Sequence, residues 1–305
     1  MSLQAPNWRC RRRVRRDESR RGRHECLRHV VVFIILLFAG NALLAQRRAG
    51  PLQIVHAALL EAEDGFARSD TVYFPGETIY LAFNIQGFTV DRNSHVKLTY
   101  TIDALDPNGV PFVEPEVGKV DTELVPQDAK WTPRVRFSPA IPLFAESGKY
   151  KFVMLVTDQL TSKQATQEAP FQVRGRRVEP SATLAIRNFA FSREEEGEPL
   201  AEAAFRRGDV LWASFDMAGY KIADRNLVDV EYDLAVFNAE NKQIFKQPEP
   251  AREKSSTFYA RRYVHATFNL NLESGIQPGE YTILLAVRDN IGQQTYEGRY
   301  KFTVE

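Results

Sequence analysis

Beyond residue 45, three histidines are the side chains best suited to acid–base catalysis or metal binding near neutral pH. They are His56, His95 and His265, and each lies in or beside a different predicted strand. Their spacing matches neither H-x-x-H nor H-E-x-x-H, and both cysteines, Cys10 and Cys26, lie upstream. The histidine spacing does not match a zinc motif, and without a cysteine the body of the protein has no thiolate ligand and no cysteine nucleophile. We interpret them as ordinary strand histidines and predict no cofactor.

The familiar catalytic motifs are missing from the sequence. It contains no G-x-S-x-G nucleophile elbow, no phosphate-binding loop and no dinucleotide-type glycine motif. A Ser-His-Asp arrangement has no obvious base among the three histidines. The enzyme alternative is therefore a carbohydrate-active protein or other hydrolase that uses carboxylates in a cleft between two domains.

Two acidic runs occupy matching places in the chain, "EAEDG" at 61–65 and "REEEG" at 193–197. Carboxylate oxygens are the ligands that calcium prefers, so each run is a candidate calcium loop. Calcium loops usually alternate carboxylates with other residues, a pattern that neither run follows throughout. The spacing favours solvated loops between strands, and calcium stays open as the alternative.

Three aromatic residues are candidates for binding a partner: Tyr80, Trp212 and Tyr259. Tyr80 and Trp212 alternate with the apolar residues of their predicted strands, which places them on the outward faces. Outward aromatics stack on sugar rings or anchor a protein partner. They also pack under loops or between domains, and that interpretation is favoured.

Three arginines precede Pro180 in a short connection: Arg174, Arg176 and Arg177. Guanidinium groups bind carboxylates in a bidentate manner, so these residues are candidates for an acidic partner or a glycan carboxylate. The alternative is that they are solvated linker charges or pair with Glu179. Pro180 restricts the backbone around it, so we predict a preferred angle between the flanking domains.

The first 45 residues have the order of an export signal. Residues 1–29 are rich in arginine, residues 30–45 are apolar, and Ala45 is a small residue at a plausible cleavage site. The run is short for a membrane span, so cleavage is favoured over an uncleaved anchor, which stays the alternative. Residues 1–26 have the character of an over-extended gene start.

Charge gives little reason to expect nucleic-acid binding. The first 45 residues contain ten arginines and three acids, which leaves 30 basic against 36 acidic side chains in the rest. A mildly acidic body lacks the positive surface that binds phosphates. We therefore predict a protein or glycan partner and no nucleic acid.

The chain repeats itself. Sliding it by 132 positions aligns residues 54–100 with residues 186–232 without a gap, and later the offset becomes 131. The identical pairs include Glu63 with Glu195, Gly76 with Gly208, Phe83 with Phe215, Gly87 with Gly219, Tyr150 with Tyr281 and Asp158 with Asp289. A two-copy repeat of this length indicates duplication of a whole domain.

Within each copy the hydrophobic period is two, as in the alternating Ile79, Leu81, Phe83 and Ile85. That period predicts strands with one buried face, and the Gly, Pro, Asn and Asp clusters between them predict turns. About seven short strands per copy favour an all-β protein of two tandem β-sandwiches. The predicted domains are residues 52–174 and 181–305, with a linker at 175–180.

Two matching segments carry a resemblance to a known family. "SGKYKFVMLVTDQL" and "PGEYTILLAVRDNIGQQ" resemble the final hairpin of bacterial immunoglobulin-like and fibronectin-type-III-like domains. The resemblance implies that Tyr150 and Tyr281 form tyrosine corners and that Asp158 and Asp289 begin the last turn. The antibody-type Cys…Trp…Cys pattern is absent, so the resemblance concerns the fold and implies no function.

Together these observations predict a non-enzymatic binding or structural module of the bacterial envelope, exported to the periplasm or the cell surface. Its ligand is a protein or glycan that the sequence does not identify. The carboxylate hydrolase described above is the alternative function.

We expect the exported form to begin near Gln46, because Ala45 follows a short apolar run. N-terminal sequencing of the protein from an envelope fraction measures this directly. Membrane-bound material that begins at Met1 would instead establish an uncleaved anchor.

Overall fold

The structure, a computed structural model, describes residues 50–128 and 130–305. The predicted signal regions, residues 1–29 and 30–45, lie outside them. Residues 49–305 belong to one compact unit. Its first eight strands, here the N-terminal half, are β1 (Gln53–Leu60), β2 (Val72–Tyr73), β3 (Tyr80–Gln86), β4 (His95–Leu105), β5 (Glu116–Glu123), β6 (Arg134–Phe137), β7 (Gly148–Asp158) and β8 (Gln164–Val173). The next nine, the C-terminal half, are β9 (Ala185–Ser192), β10 (Ala204–Phe205), β11 (Val210–Ala218), β12 (Leu227–Phe237), β13 (Gln243–Lys246), β14 (Ala251–Ser256), β15 (Tyr263–Asn271), β16 (Gly279–Asp289) and β17 (Gln294–Val304).

Each half consists of two sheets with matching strand order. The N-terminal half has a sheet β1-β3-β6 and a sheet β2-β8-β7-β4-β5. The C-terminal half has a sheet β9-β11-β15 and a sheet β10-β17-β16-β12-β13, with β14 also paired to β12. Pairing is antiparallel except that β2 runs parallel to β8 and β10 runs parallel to β17. The two halves therefore share one topology.

The alternating sequence pattern produces the two cores. In β7 and in β16 every second side chain is buried, in the same order along both strands. These residues belong to two large hydrophobic clusters, one in each half, that join the facing sheets. Fully burying a Leu, Val or Phe side chain contributes roughly 1.5–3 kcal/mol, so burial from both sheets holds each half together.

The direction of the strands defines two ends in each half. The upper end carries the start of the first strand and the connections β3–β4, β5–β6 and β7–β8, with their C-terminal counterparts. The lower end carries the turn after β4 or β12 and the connection into β7 or β16. Because the chain leaves the N-terminal half at the end of β8, its lower end precedes the upper end of the C-terminal half.

Two glycines at the upper ends have backbone conformations that explain why the sequence repeats them. Gly87 has φ +73° and Gly219 has φ +77°, in the region that side chains rarely adopt. A Cβ at Gly87 would also collide with the carbonyl of Pro51, and one at Gly219 with the carbonyl of Thr183. Each glycine therefore allows the incoming chain to lie against the loop that follows the second long strand.

Both predicted tyrosine corners are present. The hydroxyl of Tyr150 donates to the carbonyl of Glu146 at 3.0 Å, and that of Tyr281 donates to the carbonyl of Gln277 at 2.6 Å. Each ring is buried, so the hydrogen bond satisfies a hydroxyl that water does not reach. The corners fix the lower connections against the cores.

The two aspartates at the ends of β7 and β16 organise the upper ends. Asp158 accepts the backbone N–H of Leu160 through Oδ1 and that of Thr89 through Oδ2. Asp289 accepts N–H groups from its own turn through Oδ1 and from Lys221 through Oδ2. Each buried carboxylate thus closes its predicted turn and also ties the turn to the loop after β3 or β11.

The expectation of an all-β, sandwich-like protein is confirmed at the level of the fold class. Within the described residues the only helical segments are two short 3₁₀ turns, Pro126–Asp128 and Asp224–Asn226. No helix in that part of the chain has the length and apolar character that a membrane span requires. Eight and nine strands replace the seven or so expected, because two-residue strands and the split edge β13/β14 add to the count.

Replacing Tyr281 by Phe removes the corner hydrogen bond and leaves a partly buried carbonyl unpaired, so we expect a loss of about 1 kcal/mol in the free energy of unfolding. Urea denaturation followed by the fluorescence of Trp212 measures it. The matched control is Tyr296→Phe, a partly buried tyrosine on β17 outside the corner. Equal effects of the two substitutions would contradict a specific role for the corner.

Candidate functional site: the joint between the halves

The joint between the two halves is the site to which the predicted arginines and one predicted aromatic contribute. Its apolar part stacks Phe144, from the β6–β7 connection, on Tyr259, with ring centroids 5.9 Å apart and planes 13° apart. Tyr259 is 4% exposed and belongs to the hydrophobic cluster of the N-terminal half. Val178 of the linker packs with Ala218 and Tyr263 beside them. A side chain of the C-terminal half therefore completes the core of the other half.

Asp106 is the polar centre of the joint. Its side chain is 0% exposed. Oδ1 accepts the backbone N–H groups of Asn108 and Val110, both at 2.8 Å, which closes the turn after β4. Oδ2 accepts the Tyr259 hydroxyl at 2.8 Å and the Arg262 guanidinium at 3.0 Å. Asp106 therefore closes its own turn through Oδ1 and binds the C-terminal half through Oδ2.

These contacts set the pKa of Asp106. Burial alone raises the pKa of a carboxyl group. The N–H of Val110, the hydroxyl of Tyr259, the N–H of Asn108 and the charge of Arg262 outweigh burial and hold the pKa of Asp106 below its ordinary value. The carboxylate is thus ionised and fully paired. Burial, Tyr150 and Asp106 raise the pKa of Tyr259 well above its ordinary value, against the opposing charge of Arg262, so the phenol remains a donor.

Glu146 lies at the edge of the same group. Arg262 Nη1 is 3.8 Å from Glu146 Oε2, a longer contact than the one with Asp106. Burial raises the pKa of Glu146, the charge of Arg262 lowers it and the charge of Asp106 raises it, with a net upward shift. Burial similarly raises the pKa of Tyr150 to about 12. Arg262 is therefore chiefly the partner of Asp106.

A second polar group lies where the linker crosses the C-terminal half. Asp216 is 0% exposed and accepts from Asn188 Nδ2 at 2.8 Å, and its Oδ1 is 2.8 Å from His265 Nδ1. Arg176 of the linker places Nε 3.6 Å from the same oxygen and Nη2 3.3 Å from His265 Nε2. The linker is consequently fixed to β11 and β15 by charge as well as by packing. Its backbone is held too, since Asn188 Nδ2 also donates to the carbonyl of Arg177.

The chemistry available at the joint is structural. Both carboxylate oxygens of Asp106 already accept hydrogen bonds. The guanidinium of Arg261 lies over the ring of Phe144, 5.4 Å from its centroid, and Phe144 stacks on Tyr259. Two surface cavities of about 560 and 450 Å³ lie elsewhere, and neither is lined by Asp106 or Glu146. Asp106 is therefore enclosed by its partners, and Glu146 beside it is 31% exposed.

The predicted site residues are only partly brought together. Tyr259 is not an outward aromatic, because the N-terminal half covers it; the favoured interpretation of packing between domains describes its position. Tyr80 and Trp212 are half-buried on the outer faces of β3 and β11, away from the joint. Arg176 pairs with Asp216, while Arg174 and Arg177 are exposed.

The acidic runs and the other histidines lie apart from the joint. In the run at 61–65, Asp64 pairs with Arg136 at 2.6 Å. Among residues 50–128 and 130–305, no three His, Cys, Asp or Glu side chains group closely enough to hold a metal ion. His56 is exposed, and His95 Nε2 lies 4.0 Å from Glu123.

The local sequence "DPNG" predicts only a turn at Asp106, and no local pattern marks Phe144 or Arg262. A signal for Asp106 does exist in the repeat. The matching turn after β12 has Asn238, whose Oδ1 accepts the N–H groups of Glu240 and Lys242 in the same way. An amide suffices for the turn, so a charged residue at that place in only one copy indicates a second partner.

Comparisons with known proteins do not extend these findings. No family model matches the sequence, and no curated protein matches it. Among solved structures, the C-terminal domain of the Streptococcus agalactiae AgI/II polypeptide BspA is 10% identical over 84% of this chain and 100% of that chain, with a TM-score of 0.30. The C-terminal domain of the Streptococcus pyogenes antigen I/II-family protein AspA gives the same identity and coverages, with a TM-score of 0.31. The Pseudomonas fluorescens alkylpurine DNA glycosylase AlkC, bound to DNA containing an abasic site analog, is 16% identical over 41% of this chain and 31% of that chain, with a TM-score of 0.26. Likenesses at these TM-scores carry no argument about this chain.

Replacing Asp106 by Asn leaves the turn intact but removes the charge that pairs with Arg262, so we expect a loss of about 2 kcal/mol in stability at pH 7. The pKa of Asp106 is lower in the folded state, so its contribution is present above the unfolded pKa of about 3.9 and is lost as the pH falls through the folded value. The difference between wild type and variant is therefore constant from neutral pH to about pH 5 and shrinks below about pH 4.

Urea denaturation between pH 3 and pH 7, with Trp131 and Trp212 as reporters of the two halves, measures that difference. Asp64→Asn, in an exposed ion pair, is the control and should change stability little. A difference for Asp106→Asn that stays the same at pH 3 would show that the carboxylate charge does not stabilise the joint.

Proposed function

We propose that the chain is a non-enzymatic binding or structural module of the bacterial envelope, exported by its N-terminal segment. In this proposal two immunoglobulin-like sandwiches, residues 52–174 and 181–305, are held at a fixed angle across the linker at 175–180. The observation that carries the proposal is the joint itself. Charged and aromatic side chains that a hydrolase would direct at a substrate are here used to fix one half against the other.

The immunoglobulin-like assignment is supported by topology. In each half a three-stranded sheet faces a longer sheet. The longer sheet places β8 and β7 beside β4 in one half, and β17 and β16 beside β12 in the other. That arrangement, with a tyrosine corner before the penultimate strand, is typical of immunoglobulin-like sandwiches. Fold alone supplies no ligand, so the module's partner must be argued from its exposed groups.

Internal duplication is supported by backbone angles that match at aligned positions of the two halves. Gly76 has φ +87° and its counterpart Gly208 has φ +86°. His56 has φ 53° and Asn188, 132 positions later, has φ 50°. The latter pair differs in residue type, yet both sit at irregularities in the pairing of the first long strand. Matching strain at non-identical residues favours descent from one ancestral domain.

The hydrolase alternative is less well supported by the same geometry. A glycosidase-type mechanism needs two carboxylates that flank a bond in an accessible cleft. Asp106 has a side chain that is 0% exposed, and Glu146 shares Arg262 with it. No specific feature of the described residues favours that reaction at the joint.

The exposed groups nearest to the joint are the candidates for the partner surface. Arg174 and Arg177 lie on either side of the paired Arg176 and remain exposed. Their chemistry suits an acidic protein segment or a glycan carboxylate. Tyr80 and Trp212 are further candidates, each on the outer sheet face of its own half.

Changing both Arg174 and Arg177 to Gln should lower the recovery of an acidic partner in a pull-down from envelope extract at low salt, with a smaller effect at higher salt. Arg176 stays unchanged because it pairs with Asp216, so the variant tests binding and not the joint. Changing Arg206 and Arg207, two exposed arginines before β11, is the matched control for charge.

Unchanged recovery of every partner from the double variant would remove the linker arginines from the proposal. The same experiment with Tyr80→Ala and Trp212→Ala would then test the outer sheet faces. A hydrolytic activity that co-purifies with the protein and is lost in Glu146→Gln would overturn the proposal in favour of the enzyme alternative.

A further inference from the structure

The joint pairs the lower end of one half with the upper end of the next. Of the four ends in the described chain, these two cover each other through Asp106, Phe144, Tyr259 and Arg262. Within the described residues, the upper end of the N-terminal half and the lower end of the C-terminal half take no part in this contact, and they are called the free ends below. Both free ends are apolar in ways that their covered counterparts are not.

At the free upper end, apolar side chains from three loops are exposed. Val90 follows β3, Val125 follows β5 and Leu160 follows β7, with exposed fractions of 44%, 52% and 37%. Trp131, 36% exposed, stands edge-on to Phe88 with ring centroids 6.0 Å apart. The hydrogen bond from Thr89 N–H to Asp158 draws two of these loops together.

The corresponding positions in the covered upper end belong to the joint. Arg262 precedes Phe268 of β15 by six residues, as Trp131 precedes Phe137 of β6, and those two phenylalanines hold matching register positions beside β11 and β3. Arg262 binds Asp106 of the other half. The free upper end therefore has an aromatic ring where the covered one has its interdomain arginine.

At the free lower end there is a cavity of about 560 Å³ between the edges of the two sheets. Its lining includes Ile244, Phe245, Leu270, Ile276 and Phe302. Ile244 and Phe245 lie on the short edge strand β13 and are 47% and 43% exposed. An open apolar cavity at an unpaired edge is the kind of surface that proteins normally cover.

At the covered lower end, aromatic side chains lie at the corresponding places. Phe112 follows the turn after β4, donates its N–H to Ala104 and is 2% exposed. Phe144 precedes Gly148 by four residues, and the residue at the same distance before Gly279 is Gly275, which lines the cavity. Thus the C-terminal half lacks the counterpart of Phe144, and Phe245, which pairs with Val236 on β12, is left partly exposed at the cavity.

We propose that the free upper end of one molecule docks into the lower-end cavity of a second copy of this chain. The occupant is a second copy because the joint already pairs a lower end with an upper end within one chain. The two free ends are likewise one upper end and one lower end, so two molecules can make a contact of the same type. The Trp131 loop supplies the projecting aromatic group and the cavity supplies the apolar recess. Lys130 beside Trp131 and Glu273 in the cavity lining add opposite charges.

The two surfaces are different, so the contact is head-to-tail and does not close on itself as a two-fold dimer does. Repetition gives a chain of molecules or a ring. The faces are the small ends of sandwiches, which places the contact in the class of weak, concentration-dependent interfaces. This self-association does not depend on the envelope partner proposed above.

Sedimentation velocity of the chain from Gln46 onward, which contains the whole compact unit with both cores, tests the proposal. The wild type should show weight-average mass that rises with concentration beyond that of a dimer. Trp131→Glu, Val125→Glu and Phe245→Glu should each weaken association by about tenfold or more. Val117→Glu, at a 71% exposed position on β5, is the control and should associate like the wild type.

Mixing the variants distinguishes head-to-tail contact from other modes. Trp131→Glu retains an intact cavity, and Phe245→Glu retains an intact upper end, so a mixture should form one-to-one pairs that go no further. Circular dichroism and Trp212 fluorescence confirm that the variants are folded. A monomeric wild type at the highest concentration, or a Phe245→Glu protein that still pairs with itself, would overturn the proposal.

Discussion

The buried carboxylate of Asp106 is the constraint that the arrangement of the halves depends on. Its side chain has no exposure to solvent, so every lone pair must be satisfied by protein groups. The turn satisfies Oδ1 from within the N-terminal half, but Oδ2 has only Tyr259 and Arg262 of the other half. Any placement that keeps Asp106 buried but shifts those partners leaves an unpaired charge, at a cost of several kcal/mol. One orientation is therefore selected.

Contacts from three different segments support that selection. Asp106 belongs to the turn after β4, Phe144 to the connection before β7, and Arg176 to the linker. Asp106 and Phe144 hold Tyr259 by its hydroxyl and by its ring face, while Arg176 reaches Asp216 on β11. Rotation that preserved one of these contacts would strain another. Aromatic stacking alone would tolerate sliding, whereas buried charges require particular distances.

The sequence predicts the parts of the fold that depend on local pattern. Alternation identifies the strands around Phe83 and Phe215, and the repeated Tyr150 and Tyr281 identify the corners, because each depends on neighbours within one half. Tyr259 could not be placed in the same way. Its surroundings come from the other half. The local sequence pattern does not distinguish an aromatic that faces solvent from one that another half covers.

Positions where the aligned halves differ in sequence consequently identify the surfaces that distinguish one half from the other. Asp106 aligns with Asn238, and of the two only Asp106 accepts a hydrogen bond from the other half. Phe144 faces Gly275, and only the phenylalanine covers a neighbour while the glycine lines an open cavity. Residues that are identical at aligned positions maintain the sandwich of each half, so they do not identify a partner. In a chain built as we propose, binding must be sought at the ends and edges where the repeat is broken, and the free upper and lower ends are the largest such breaks.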